Sequence, residues 1–415
     1  MRGSPPSAIR LALTMCIAEA LSMTGVATYT TLLPLLQREW TLSNSEAGLI
    51  GGAFWAGYMA GVPLLAGLTD RIDARRVYVC ACAMATAGSA AFALFAQGLW
   101  TALVLQFFVG AGLAGSYMPG LKLLTDQLEG TVQSRATAFY TASFGVGTTI
   151  SIFASGQLAP AFGWVAAFVF AASGPVLAAV LVLAIMPPGR IARTVRPEPG
   201  EGRTPSRAPP LLDFRSVLSN RTTRAYIAGY CVHSYELFAQ RAWMVAFLVY
   251  CASLQPAHLP MLASAATLAA FINLIGPVMS VSGNELAHRF GRERVIFTFM
   301  GASGLMACVL GYTASLPWWI VFLLMMIHSA LMLGDSAALT AGAVGSAPPE
   351  RRGATMAVYS FLGFSSAFFA PLAFGVVLDL AGGNRSTLAW GLAFASIGIF
   401  GALAPMARWY ATRAR

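Results

Sequence analysis

The chain has 415 residues, of which 57% are hydrophobic and only 10% charged, and its formal net charge is +10. The mean hydropathy of +0.68 lies outside the range of soluble domains, which excludes a water-soluble globular protein and predicts an all-α integral membrane protein. A membrane span takes about 20 mainly apolar residues, so with short loops the length holds roughly twelve spans and leaves no sizeable soluble domain.

The basic opening MRGSPPSAIR leads straight into apolar residues with no small-residue cleavage site, which predicts an uncleaved first span over residues 9–36. Its one ionisable residue well inside is Glu19, which shares a helical stripe with Met23, Val26 and Thr30. Span 2 begins near Asn44 and carries Gly48, Gly51, Gly52, Gly57 and Gly61, small residues that allow close helix approach. Spans 3 to 6 are expected at 77–97, 100–124, 136–159 and 164–186. Lys122 and Asp126, four apart near the end of span 4, read as a local ion pair.

From Pro187 onward the chain turns rich in Pro, Arg, Gly and Ser, a composition that cannot bury a core. Residues 188–218 are therefore expected to be a flexible cytoplasmic linker between a six-helix half at 1–187 and another at 219–415. Spans 7 to 12 follow at 221–251, 257–286, 295–314, 317–344, 354–380 and 387–409.

Span 7 is unusual, because YCVHSYELFAQRAWM places His233, Glu236, Gln240 and Arg241 on one broad face of a membrane-crossing helix. Ionisable groups in lipid are costly unless they face a bundle interior or a watery cavity, so they mark a candidate solute or proton path. Glu236 and Arg241 neutralising each other is the structural alternative. Span 10 carries His328 and, two turns further along the same face, Asp335. His328 reads as a satisfied interior histidine or a site ligand, and Asp335 as a cap or latch.

Of the 26 Lys and Arg residues, Lys122 and Arg241 fall within spans, and only Arg38 and Arg385 lie on the outer side once the N-terminus is placed in the cytoplasm. The basic charge is thus an orientation signal that sets both termini inside, and no nucleic-acid partner is expected. The cysteines have no disulfide pattern, and the four histidines are scattered without H-E-x-x-H or metal spacing, so neither an enzyme, a metal site nor a cofactor is expected.

An internal duplication is visible. A shift of 218 residues lays LTDRIDARRV (68–77) over LAHRFGRERV (286–295), Gly145 over Gly363, and Glu19 over Leu237, the neighbour of Glu236. At these residues the chain resembles the major facilitator superfamily of secondary transporters, whose loop after span 2 has the form G-x-L-a-D-R-x-G-R-R with an echo after span 8. Leu68, Asp70, Arg71, Arg75 and Arg76 match, with Ala66 and Asp73 in place of the glycines; Leu286, Arg289, Gly291 and Arg292 match in the echo, with Asn284 and His288 replacing Gly and Asp. Gln106 stands where proton-coupled members often carry arginine, and the helix-5 glycines Gly145, Gly147 and Gly156 lack the Gly-Pro of drug antiporters.

The resemblance implies twelve transmembrane helices in two pseudo-symmetric six-helix bundles, with Asp70, Arg71, Arg75, Arg76, Arg289 and Arg292 forming a cytoplasmic gate. It implies a monomeric secondary transporter in the inner or plasma membrane, working by alternating access with a small-molecule substrate, the lipid bilayer, and protons or another coupling ion as partners. No G-x-x-x-x-G-K-[ST] motif supports ATP-driven work. Glu19 and Glu236 are the candidate proton carriers. Arg241 and His233 can hold an anionic or polar group, since guanidinium offers a planar fork for carboxylate. Gln240, Tyr117 and His328, with Tyr29, Trp55, Tyr58, Tyr235 and Trp243, are candidates to complete the cavity. The alternatives are efflux of amphipathic compounds and a transporter-like sensor that binds without moving its ligand.

Overall fold

The computed structural model describes residues 7–69, 71–188, 214–255, 261–348 and 351–413, nearly all helical. Span 1 is made of α1 (Ala8–Ser22) and α2 (Thr28–Glu39), followed by α3 (Asn44–Leu68), α4 (Ala74–Phe95), α5 (Leu99–Thr125), α6 (Gly130–Phe162) and α7 (Trp164–Ile185). A short α8 (Phe214–Ser219) precedes α9 (Arg221–Ser253), α10 (Met261–Phe290) and α11 (Arg292–Leu310). Span 10 is made of α12 (Trp318–Leu333) and α13 (Ser336–Ser346), and α14 (Arg352–Leu380) and α15 (Thr387–Arg413) complete the chain. Among the described residues, nine helical segments are long and apolar enough to cross a membrane. Large apolar side chains such as Leu94, Trp100, Phe139 and Val281 project outward. That surface suits hydrocarbon, and helices are the open-chain form that satisfies its own backbone there.

Helices α1–α7 pack into one bundle and α9–α15 into another, joined chiefly where α3 meets α14 and α6 meets α10. Small residues set the closest contacts. A methyl group on Gly110 of α5 would collide with the Phe54 carbonyl oxygen of α3, so those backbones touch directly. Gly110→Val is expected to destabilise the purified protein by about 3 kcal/mol or more through overpacking, read as a drop in thermal unfolding temperature. An unchanged melt would mean that α3 and α5 are not so tightly joined.

Two spans are broken where the sequence predicts continuous helices. Span 1 passes through a 3-10 turn at Met23–Gly25. Thr24 Oγ1 donates back to Leu21 O at 2.9 Å, and the Ala27 N–H donates to Ser151 Oγ of α6 at 3.1 Å, so side chains accept what the helix ladder gives up. Span 10 breaks at Gly334 and Asp335, where the Gly334 N–H closes a tight turn onto Leu331 O. Glycine is a poor helix former, and Asp335 is engaged by α9 instead of capping α13.

The end of the expected linker also differs. Phe214, Val217 and Leu218, spaced three and four apart, form the apolar stripe of α8, with the Phe214 ring 5.5 Å from Phe361 of α14. Residues 189–213 lie outside the described residues.

The face on which the chain enters α1 is here the terminal face, and its opposite the distal face. At the distal face the N-terminus of α3 is closed by a capping box. Glu46 Oε2 accepts from the Ser43 N–H at 2.8 Å, and Ser43 Oγ accepts from the Glu46 N–H at 3.2 Å. The remaining free donors are met from the other bundle. Asp379 at the end of α14 accepts from Asn44 N at 3.0 Å, Asn44 Nδ2 at 2.7 Å, Ser45 N at 2.8 Å and Ser45 Oγ at 2.5 Å. A carboxylate facing a helix N-terminus is favoured both by these charge-assisted bonds and by the helix dipole. Asn384 Nδ2 donates to Gln37 Oε1 at 3.2 Å, and Gln157 Nε2 of α6 donates to Thr267 Oγ1 of α10 at 3.0 Å, which extends the seal between the bundles.

Candidate functional site

Helices α9 and α12–α13 run antiparallel and are stitched at three levels. Gln240 Nε2 donates to Ser329 Oγ at 2.9 Å, Glu236 Oε1 lies 2.9 Å from His328 Nε2, and His233 Nδ1 lies 2.7 Å from Asp335 Oδ1. The last contact is close but off-axis, so it is an ion-pair contact without an aligned hydrogen bond. Each helix supplies one histidine and one acid, and the pairs are crossed between them. All four side chains are buried. Ser303 of α11 donates to the second Glu236 oxygen at 3.2 Å.

Such a pair is electrically neutral when it holds one proton beyond carboxylate and neutral imidazole, whether that proton sits on nitrogen or oxygen.

Glu19 is fully buried in the other bundle. The Tyr140 hydroxyl lies 2.8 Å from Glu19 Oε2 and 2.9 Å from the Tyr117 carbonyl oxygen. The Tyr140 hydroxyl is the donor in this arrangement, its one hydrogen shared between the carboxyl oxygen and the carbonyl. Tyr117 itself stacks on Tyr140 with centroids 5.8 Å apart.

Arg241 stands apart from these acids. Among the described residues no carboxylate or hydrogen-bond acceptor pairs with its guanidinium, so the expected alternative of a Glu236–Arg241 pair is not found; Glu236 faces α11 and α12 instead. Arg241 lines a gap of about 10 Å³ with Gln240, Asn273, Ser329 and Met332, about enough for one water. Asn273 Nδ2 reaches across to the other bundle, donating to Gly145 O at 3.2 Å and Thr149 Oγ1 at 2.9 Å, while its Oδ1 is buried without a partner. The gap is lined by α9, α10 and α12 of the second bundle, with Asn273 as its link to α6 of the first.

The candidate site residues are therefore divided rather than gathered. His233, Glu236, Gln240 and His328 lie along one seam between α9 and α12–α13, Glu19 and Tyr117 meet through Tyr140 in the first bundle, and Arg241 holds a third position beside Asn273. The aromatic candidates mostly fill space. Trp55 packs against Phe238 and Phe364 at 4.2 and 5.7 Å, Tyr58 against Phe364 at 4.5 Å, and Trp243 donates to Pro371 O at 2.9 Å. Tyr29 donates to Ala47 O at 3.0 Å, and Tyr235 faces Phe400.

Of the gate candidates, Asp70 lies outside the described residues. Arg75 donates to Met186 O at 3.0 Å and Leu183 O at 2.9 Å, capping the last carbonyls of α7 within its own bundle. Arg289 pairs with Glu285 on its own helix at 3.3 Å, Arg71 and Arg76 are exposed, and Arg292 is partly buried. Lys122 and Asp126 form the expected local pair at 3.0 Å.

Tyr140, Ser303 and Asp379 are the polar participants that a reading of the sequence does not single out. A tyrosine or serine in an apolar run carries no signal of its partner. The S-x-x-E sequence at Ser43–Glu46 does announce a helix start, which leaves two N–H groups for a distant acid to meet.

A family model described as Major Facilitator Superfamily matches residues 15–371. A Bacillus subtilis protein provisionally named niacin/nicotinamide transporter NiaP is 29% identical over 141 residues, 34% of this chain and 35% of that protein. The 4-hydroxybenzoate transporter PcaK of Acinetobacter baylyi is 22% identical over 156 residues, 38% of this chain and 34% of that protein. The chain thus spans about a third of the length of the curated relatives it matches. A bacterial homolog of the human lysosomal transporter Spinster, in an inward-facing and occupied conformation, superposes with a TM-score of 0.79 at 16% identity, covering 99% of this chain and 98% of that one. A D-xylose-proton symporter gives 0.72 at 12% identity, covering 95% and 97%. At such identities the likeness is one of fold.

Proposed function

The chain belongs to the major facilitator superfamily of transporters, and from that membership we propose that it carries a small organic carboxylate across the plasma membrane, coupled to protons, with both termini in the cytoplasm. The observation that carries this reading is Arg241, a cation of the second bundle that shares its gap with the interface residue Asn273 and has no anion beside it among the described residues. A lone charge in that setting costs several kcal/mol unless an anion arrives to compensate it. Guanidinium matches carboxylate in a planar, two-bonded fork. The names of relatives, a 4-hydroxybenzoate transporter and a provisionally named niacin/nicotinamide transporter, support a solute with a planar ring, and the first of them a carboxylate.

In this reading residues 1–187 and 219–415 rock about the centre, with residues 188–218 as their tether. The gap beside Arg241 is too small for such a solute, so the conformation is one with the site collapsed and the distal face sealed. Arg75 and Arg289 are then occupied within their own bundles because the terminal-face latch is released. Glu19 and the His233–Asp335 and Glu236–His328 pairs are the proton-holding groups that change state as solvent reaches them.

The test is uptake of radiolabelled benzoate and nicotinate by proteoliposomes with an inside-alkaline gradient. The expected result is saturable accumulation that a protonophore abolishes. Export of an amphipathic dye with no carboxylate flux would replace this reading by efflux, and binding without any flux would replace it by a sensor.

A further inference from the structure

The distal face carries a cavity of about 580 Å³, a size suited to a small organic ligand. Its lining includes Gln37 and Arg38 from the end of α2, Tyr250 from α9, and Asn384, Arg385 and Trp390 from the α14–α15 turn and the start of α15. Arg38 and Arg385 are the two basic residues that the charge distribution leaves on this side of the membrane. They belong to different bundles, yet both line this one hollow.

No acid is among its lining residues. The acids of the neighbourhood are engaged elsewhere. Glu39 accepts from Trp164 Nε1 at 2.8 Å, Glu46 caps α3, and Asp379 is filled by Asn44 and Ser45. Among the described residues neither Arg38 nor Arg385 makes an ion pair. The other walls supply amides that accept or donate, with Asn384 and Gln37 joined at 3.2 Å across the bundles, and the flat faces of Tyr250 and Trp390, stacked at 5.9 Å.

Two unpaired guanidinium groups in a concave, partly apolar hollow focus positive potential and favour a planar anion over a neutral solute. We propose that this vestibule is a second binding site, taking a small aromatic carboxylate between Arg38 and Arg385. A ligand held by one arginine from each bundle would reinforce the sealed distal face, because it binds only when the bundles are close. The site is separate from the gap beside Arg241 and does not depend on Arg241 handling the transported solute.

The test uses purified full-length Arg241→Gln protein titrated with benzoate by calorimetry, with neutral benzamide as the control. Benzoate is expected to bind, benzamide not. Arg38→Gln combined with Arg385→Gln is expected to weaken benzoate binding by at least about tenfold, as for loss of charge-assisted pairs, while Arg38→Lys with Arg385→Lys restores part of it. Both positions are exposed. Should the glutamine variant fail to fold, the salt dependence of benzoate binding to the Arg241→Gln protein decides, since partly exposed arginines are screened as ionic strength rises. Absence of benzoate binding to the Arg241→Gln protein, undiminished binding after loss of both distal arginines, or binding indifferent to salt and to ligand charge would overturn the proposal.

Discussion

Glu236→Gln is expected to abolish gradient-driven accumulation of benzoate while benzoate exchange between preloaded liposomes and medium continues. Glutamine has nearly the shape of glutamate but cannot take or release a proton, so exchange without net proton movement survives and coupled uptake does not. Stability reports the same contact. His328 Nε2 lies 2.9 Å from Glu236 Oε1 with both side chains buried, and breaking a buried pair costs about 3 kcal/mol or more. A double-mutant cycle of Glu236→Gln and His328→Gln in thermal unfolding should therefore show an interaction of roughly 2 kcal/mol. Full gradient-driven accumulation by the Glu236→Gln protein, or a cycle that closes to zero, would remove this pair from the coupling machinery.

The distal seal is expected to open when its carboxylate or its close backbone contact is lost. A methyl group on Gly48 of α3 would collide with the Pro371 carbonyl oxygen of α14, so Gly48→Val makes the sealed arrangement sterically impossible without affecting an open one. Asp379→Asn is milder. It turns an acceptor into a donor facing the Ser45 N–H, which lies 2.8 Å from Asp379 Oδ2. The net loss of about 2 kcal/mol shifts the balance of sealed and open forms roughly 30-fold. Spin labels at Gln97 and Ser253, in a background without native cysteines, should report longer distances across the distal face in both variants, most completely with Gly48→Val. Distances identical to those of the parent would show that α3 and α14 do not form the seal.

The legible part of this protein was what physics makes expensive. Ionisable groups in apolar runs stand out, so Glu19, His233, Glu236, Arg241 and His328 could be named from the chain alone, and the two-half plan followed from the 218-residue echo. Partners were not legible, because they are set by which helices pack together. His233 and Glu236 meet acids and histidines of α12 and α13, whereas Arg241, about 80° from His233 around the same helix, turns toward Asn273 of α10. A helical wheel ranks them as one face, but packed neighbours divide that face. The breaks at Met23–Gly25 and Gly334 escaped for a similar reason: Ser151 of α6 and His233 of α9, far away in sequence, stabilise them. Asp379, a single acid at the end of an apolar span, looked like any residue at a membrane interface.

Arg241 is the point on which the functional account rests most heavily. The most direct measurement is gradient-driven benzoate uptake by proteoliposomes of the parent protein, Arg241→Lys and Arg241→Gln at matched reconstitution. Losing the partner of a buried charge-assisted pair costs about 3 kcal/mol, on the order of a hundredfold, so the glutamine variant should fall to the rate of empty liposomes while lysine retains a fraction. Parental uptake kinetics in Arg241→Gln would contradict the account at its centre.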